Sequence, residues 1–177
     1  MKFGVINTLG VVIVELKYDN ISEFSEGLAA VKLEGLWGFI NNQGDIVIPI
    51  QFSFAGSFHE GLAKITNAEG LTGYINILGE VTIPFQFYYG HNFSEGIAFV
   101  SHPIEGYTFI NNKGEKLFSI EDSQAMSEFK NGLVITSGKK GWSLLNTKGN
   151  VLFSRSCTQI REFNQGFAVI NIGNNDG

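Results

Sequence analysis

The side chains in this chain that could move protons, hold a metal or attack an electrophile are few, and their spacing limits what they can do. Glu26, Glu60 and Glu95 each stand directly before a glycine, at matching intervals. Two carboxylates facing across a cleft can share general acid, base or nucleophile roles. Carboxylates that repeat in one phase beside glycines point instead to turn chemistry or a solvated rim. Aspartate is scarce, at positions 19, 45, 122 and 176. The histidines are His59, His91 and His102, and the first two fall near corresponding turns. Two imidazoles without a third ligand make a poor zinc site, so they read as surface or boundary side chains. Cys157 is the single cysteine, which excludes an intrachain disulfide. With no base or basic cluster beside it, it reads as a small buried hydrophobe rather than an activated thiol. No phosphate-cradling glycine loop, His-Glu-x-x-His, Gly-x-Ser-x-Gly or Cys-x-x-Cys is present. The expectation is a protein that is not an enzyme, with no catalytic residues, no cofactor and no metal.

Aromatic rings are the more informative group: sixteen Phe, five Tyr and two Trp. Phe85, Phe87, Tyr88, Tyr89 and His91 crowd five rings into seven residues, and Phe54 corresponds in position to Tyr89 where other copies carry Asn20, Gln124 and Gln159. Rings that depart from a repeating pattern are surplus to a core, so Phe54, Tyr88, Tyr89 and His91 are the expected ligand- or partner-binding residues. The position that reads Ala30, Lys64, Phe99, Ile135 and Val169 varies in the same way; burial under a neighbouring copy is the expectation for its apolar members.

These residues are placed by a repeat. Asn-x-x-Gly occurs as Asn7…Gly10, Asn41…Gly44, Asn76…Gly79, Asn111…Gly114 and Asn146…Gly149, at spacings of 34, 35, 35 and 35. A second landmark, Phe-x-x-Gly, keeps phase with it at Phe24, Phe58, Phe93, Phe129 and Phe163. Asn at the first turn position and Gly at the fourth suit a type I turn closed by a left-handed residue. The flanks, Trp37 to Ile40 before the turn and Asp45 to Ile48 after it, are short β-branched and aromatic runs that fit strands. Pro49 and Pro84 belong at a strand end or edge. The Leu28-Ala29-Ala30-Val31 type of segment supplies a further strand whose small second residue faces something bulky. The phase-keeping phenylalanines read as core plugs.

The runs Leu36-Trp37-Gly38-Phe39-Ile40-Asn41 and Phe58-His59-Glu60-Gly61-Leu62-Ala63 resemble those of WG-repeat (KWG-repeat) bacterial proteins. The resemblance covers essentially the whole chain, is clearest in the first three copies, and weakens where Thr108 and Ser143 replace the glycine and Thr72 the tryptophan. It implies a tandem β-repeat with a binding function and does not imply an enzyme.

The chain therefore reads as all-β: five tandem antiparallel β-meander or hairpin repeats of about 35 residues. They lie near 1–35, 36–70, 71–105, 106–140 and 141–175 of one domain, 1–177. An elongated or superhelical array is expected, with a closed five-bladed propeller-like ring as the alternative. With 44% apolar residues the chain is composed like a globular domain. Net charge is −5 and the basic residues cluster only at Lys139-Lys140, which disfavours nucleic acid and anionic membranes. No run approaches the length of a membrane span. Met1 to Val14 aligns with the later hairpins and reads as the first copy rather than a leader; the compartment is left open, cytoplasmic if Met1 is the native start. The run Gly173-Asn174-Asn175-Asp176-Gly177 resembles a turn leading into another copy. The leading functional expectation is a recognition module for a protein or cell-surface ligand. The alternatives are a spacer segment that self-associates through its end strands, and a small-ligand or enzymatic site in a central channel.

Overall fold

A computed structural model describes residues 1–121, 123–139, 141–161, 163–164 and 166–172. Asp122, Lys140, Asp176 and the terminal run 173–177 lie outside the described residues. The asparagine landmark builds the turn expected of it. Asn41 Oδ1 accepts from the N–H groups of Gln43 (3.0 Å) and Asp45 (2.9 Å), while Gly44 N–H donates to the Asn41 carbonyl (3.0 Å) with φ at +87°. Asn7, Asn76, Asn111 and Asn146 make the same bonds.

The second landmark is tighter than the sequence suggested. Ser25 and Leu28 exchange both main-chain bonds around Glu26 (φ +52°) and Gly27 (φ +83°), a two-residue hairpin with both central residues left-handed. Glu60, Glu95 and Asn131 adopt the same conformation before their glycines. A glutamate there is strained by roughly 1 kcal/mol or more. Its carboxylate offsets part of that: Glu26 Oε2 accepts from Gly61 N–H at 2.9 Å, and Glu95 Oε2 from Gly132 N–H at 2.7 Å. Ser25 Oγ likewise donates to the Phe58 carbonyl (2.6 Å) and Ser94 Oγ to that of Phe129 (2.7 Å). The recurring Glu and Ser thus fasten one copy to the next.

The chain separates into two units, Met1–Asn92 and Phe93–Gly177. In the first, β1 (Phe3–Ile6) and β2 (Val12–Tyr18) form a two-stranded sheet. A four-stranded sheet follows in the order β3 (Asn20–Ile21), β4 (Leu28–Leu33), β5 (Leu36–Asn41), β6 (Ile46–Phe52). The next is β7 (Phe54–Ala55), β8 (Leu62–Thr66), β9 (Thr72–Asn76), β10 (Val81–Phe87), after which comes the short β11 (Tyr89–Gly90). The second unit holds β12 (Ile97–His102), β13 (Gly106–Asn111) and β14 (Lys116–Ser119). It continues with a four-stranded sheet, β15 (Ser123–Ala125), β16 (Leu133–Gly138), β17 (Gly141–Asn146), β18 (Val151–Arg155), and a two-stranded one, β19 (Gln159–Ile160) and β20 (Ile170–Asn171). Every pairing given for these strands is antiparallel. The chain is all-β, built of tandem hairpin sheets.

The last two strands of these sheets come in two forms, and the Trp-Gly glycine decides between them. In β5–β6 Phe39 pairs with Ile48 and Trp37 with Phe52, so one residue, Gly38, faces three. The pairs β1–β2 and β9–β10 share this two-residue bulge, opposite Gly4 and Gly73. A Cβ on Gly38 would lie 2.6 Å from the Ile48 carbonyl oxygen; at Gly73 it would lie 2.7 Å from that of Ile83. Where Thr108 or Ser143 stands instead, the pairing runs without a bulge at that point, Thr108 to Ser119 and Ser143 to Ser154. Pro49 and Pro84 sit within this bulged outer strand rather than at its end, since the bulge removes the ladder bond they could not make.

The cores lie between consecutive sheets. Phe39, Ile48 and Phe52 from one sheet pack with Ala55, Phe58, Ala63, Ile65 and Ile75 from the next. Val14 and Tyr18 pack likewise with Ala29, Val31 and Ile40, and Phe109 with Ala125, Phe129, Val134 and Leu145. Phe58, Phe93 and Phe129 are buried plugs; the Phe39 ring lies 4.9 Å from that of Phe58, and the Phe109 ring 5.5 Å from that of Phe129. Phe24 is exposed and Phe163 half-buried. The residues in the Phe39 position facing them are Val5 and Leu144, which offer no ring. Phe99 and Ile135 are buried as expected, whereas Val169 is exposed. Cys157 is half-buried.

Candidate functional site

Trp37 and Thr72 occupy equivalent positions, and the difference between them makes a pocket. Trp37 lies on β5 opposite Lys32, and its indole packs against Phe54 with centroids 6.1 Å apart. In the following sheet Thr72 lies on β9 opposite Thr66, where the two hydroxyls meet at 3.4 Å. The volume an indole would fill is left open, bounded by Phe54, Lys64, Thr66, Thr72, Tyr88, Tyr89, Gly70 and Gly90 around about 260 Å³. Phe54, Tyr88 and Tyr89 are exposed at its mouth.

Lys64 is the one charged side chain of this wall. Its Nζ lies 5.8 Å from the Phe54 ring centroid and 5.6 Å from that of Tyr89, and it donates to the Gly90 carbonyl at 3.3 Å. Cation–π contacts of this kind hold an ammonium between two rings. Sequence reading missed Lys64 as a site residue, although it is the polar exception among Ala30, Phe99, Ile135 and Val169.

Phe54, Tyr88 and Tyr89 are thus brought to one pocket. His91 stands behind it: its ring meets Tyr89 edge-on at 5.4 Å, and its carbonyl accepts from Tyr74 Oη at 2.7 Å. Burial, and secondarily the Lys64 charge, lower the His91 pKa, which keeps the imidazole neutral near pH 7. It packs against Tyr89 and is not one of the residues that line the cavity.

The carboxylates raised as candidates for chemistry are occupied elsewhere. Asp19 accepts from Lys2 Nζ (2.7 Å) and Glu34 N–H (2.8 Å), which together lower its pKa, the Lys2 bond most. Asp45 accepts from Asn41 Nδ2 at 3.3 Å, and Glu26 and Glu95 cap glycines of the next copy. Among the described residues no three His, Cys, Asp or Glu side chains converge.

The pattern of the WG containing repeat matches residues 3–37, 37–67, 73–102 and 142–175. The chain belongs to the WG-repeat family. The match passes over the copy carrying Thr108 and includes the copy carrying Ser143. No curated protein matches the WG-repeat chain. Among solved structures it is similar to the computationally designed Ika8 protein, with a TM-score of 0.59 and 15% identity over 92% of this chain and 59% of that one. It is also similar to the extracellular domain of the hybrid two component system BT3049 from B. thetaiotaomicron, with a TM-score of 0.50 and 10% identity over 87% of this chain and 25% of that one. The chain thus spans 59% of the length of the designed protein and a quarter of the other. At these identities the likeness is one of fold alone. Among the described residues no helix is long and apolar enough to cross a membrane.

Proposed function

We propose that this WG-repeat chain is a non-catalytic recognition module that presents a rigid β surface to a protein or cell-surface ligand, and that the ligand enters the pocket at Thr72. The observation that carries the reading is the replacement of an indole by threonine beneath exposed rings. A fold that fills this position with Trp37 in one sheet and opens it in the next has an apolar cavity, flanked by tyrosine hydroxyls and one ammonium. Such a pocket, mostly apolar with few convergent polar groups, suits ligand capture. Lys64 favours a group that joins a flat or apolar face to a carboxylate. The engagement of Asp19, Asp45, Glu26 and Glu95 in turns and inter-copy bonds supports the absence of catalysis.

The test uses two probes, a displayed random-peptide library and a glycan array, each applied to the wild-type chain and to Thr72→Trp. The substitution restores the residue type of Trp37 and fills the pocket. Ligands held by wild type and lost at least tenfold on Thr72→Trp, and again on Tyr89→Ala, support the reading. Equal retention by all three proteins, or none from either probe, removes the pocket from the function.

A further inference from the structure

The residue before the Trp-Gly glycine, or before its replacement, is an aromatic ring in every copy but one. It reads Phe3, Trp37, Thr72, Tyr107 and Trp142. The backbone does not change at the exception. Phe3 pairs with Tyr18, Trp37 with Phe52 and Thr72 with Phe87, each beside the same two-residue bulge. Two of the rings rest on a second ring, Trp37 on Phe54 with centroids 6.1 Å apart and Tyr107 stacked on Phe99 at 5.5 Å.

The walls that would hold a ring at Thr72 are in place. Tyr89 is the counterpart of Phe54, and Lys64 that of Phe99; both line the cavity. The filled site also has its ammonium, since Lys32 Nζ lies 5.8 Å from the Trp37 ring centroid. Of the natural rings, indole gains most from such a cation. At the cavity wall the hydroxyls of Thr66 and Thr72 lie 3.4 Å apart, and hydroxyl oxygens accept. An indole N–H needs an acceptor once it is buried, and a phenyl ring has no use for one. The volume of about 260 Å³ is below the roughly 300–1,000 Å³ of sites that enclose a drug-sized ligand. One ring system fills it, and the rest of the ligand stays outside. There the exposed Phe54 and Tyr88 offer apolar surface to a chain that continues beyond the ring.

We infer that the ligand of this pocket is a tryptophan side chain presented by a partner polypeptide, its indole taking the place that Trp37 holds in the preceding sheet. The inference rests on the recognition reading above and adds the chemistry of what is recognised. The indole lies against Tyr89 and the Lys64 ammonium, with its N–H toward the Thr66 and Thr72 hydroxyls. The partner's main chain crosses the mouth over Phe54 and Tyr88.

Peptides recovered from the displayed library by wild type and lost on Thr72→Trp should carry a tryptophan. Exchanging that residue for leucine should weaken binding by about tenfold or more. Separately, N-acetyl-L-tryptophanamide is titrated into isotope-labelled protein. It should shift the amide resonances of Lys64, Thr72, Tyr89 and Gly90 in wild type, and in Thr72→Val, which keeps the cavity and the Thr66 hydroxyl. It should leave them in place in Thr72→Trp, as N-acetyl-L-leucinamide should in wild type. Tyr89→Ala, at an exposed position, removes one wall and serves in the same way if Thr72→Trp does not fold. Pocket-dependent peptides without tryptophan, or pocket-dependent glycans alone, overturn the inference and leave the recognition reading standing. Shifts from the amide with no pocket-dependent peptide overturn the polypeptide as the source of the indole. No pocket-dependent ligand and no shift overturn both readings.

Discussion

Replacing Gly38 by alanine puts a methyl group into the bulge that the Trp-Gly glycine makes possible. The added Cβ would lie 2.6 Å from the Ile48 carbonyl oxygen and 2.8 Å from both Ile50 N and Cα. All three are main-chain atoms, so no rotamer change relieves the overlap. They fall short of ordinary contact by roughly 0.6–0.8 Å, and β6 has to move. Forcing one extra carbon into a packed site costs about 1–3 kcal/mol. The lower entropy of an unfolded alanine returns about 0.4–1 kcal/mol. A net loss of about 1–2 kcal/mol lowers the melting temperature by about 2–8 °C for a chain of this size. Trp37 is the adjacent residue, so fluorescence-detected unfolding in a Trp142→Phe background reads the site itself. Ser143→Ala is the control. It occupies the equivalent position, where β17 and β18 pair without a bulge at that point, keeps its Cβ, and loses an exposed hydroxyl bond to Ser154 (3.0 Å). Its cost should be at most about 1 kcal/mol. A Gly38→Ala chain as stable as its parent, or a Ser143→Ala chain equally damaged, would refute the account of the glycine.

Two further outcomes follow from the turns and the pocket. His91 has a pKa lowered by burial and by Lys64, so the unfolded chain binds its proton first. The resulting stability is complete above the unfolded value near 6.5 and is lost as pH falls through the folded one. Melts at pH 7.5 and 5.5 should show wild type losing more than His91→Gln; equal losses would discount the buried imidazole. At the left-handed turn, Glu26→Ala keeps the strain and loses the bond to Gly61, a loss of about 0.5–1.5 kcal/mol. Glu26→Gly loses the same bond but relieves the strain, so urea unfolding should rank it above Glu26→Ala by about 1 kcal/mol, and an unchanged ranking would count against the strain.

Most of the fold was legible because its signals are local. Asn41 and Gly44 specify their turn within four residues, and the same pair recurs in every copy. The buried plugs Phe58, Phe93 and Phe129 were legible for the same reason. Glu26 was recognised as turn chemistry, but its left-handed backbone was not, because the bond that steadies it goes to Gly61 in the next copy. The bulge opposite Gly38 was hidden too, since it depends on the register between β5 and β6 rather than on either strand alone. At the pocket, Phe54, Tyr88 and Tyr89 stood out as departures from phase. The absence that opens it, Thr72 for tryptophan, was visible only as a substitution, and Lys64 only as a variable position. His91 was drawn into the same group by its neighbours in sequence, and the turn of the strand then set it behind Tyr89.

The placing of each core between sheets has a consequence for how such a chain changes in inheritance. Phe39 and Ile48 meet Ala63 and Ile75 across the boundary, so the partners of these residues belong to the adjoining repeat. Unequal recombination that inserts or deletes about 35 residues in register exchanges one interlocking boundary for another of the same kind. A breakpoint out of register leaves a hole where an isoleucine should sit. Copy number is therefore free to vary by whole steps, and each copy's sequence is held to its neighbours' shape. The exchange of tryptophan for Thr72 falls at such a boundary, since its counterpart Trp37 packs against Phe54 of the next sheet, and there the loss of a ring leaves an open pocket.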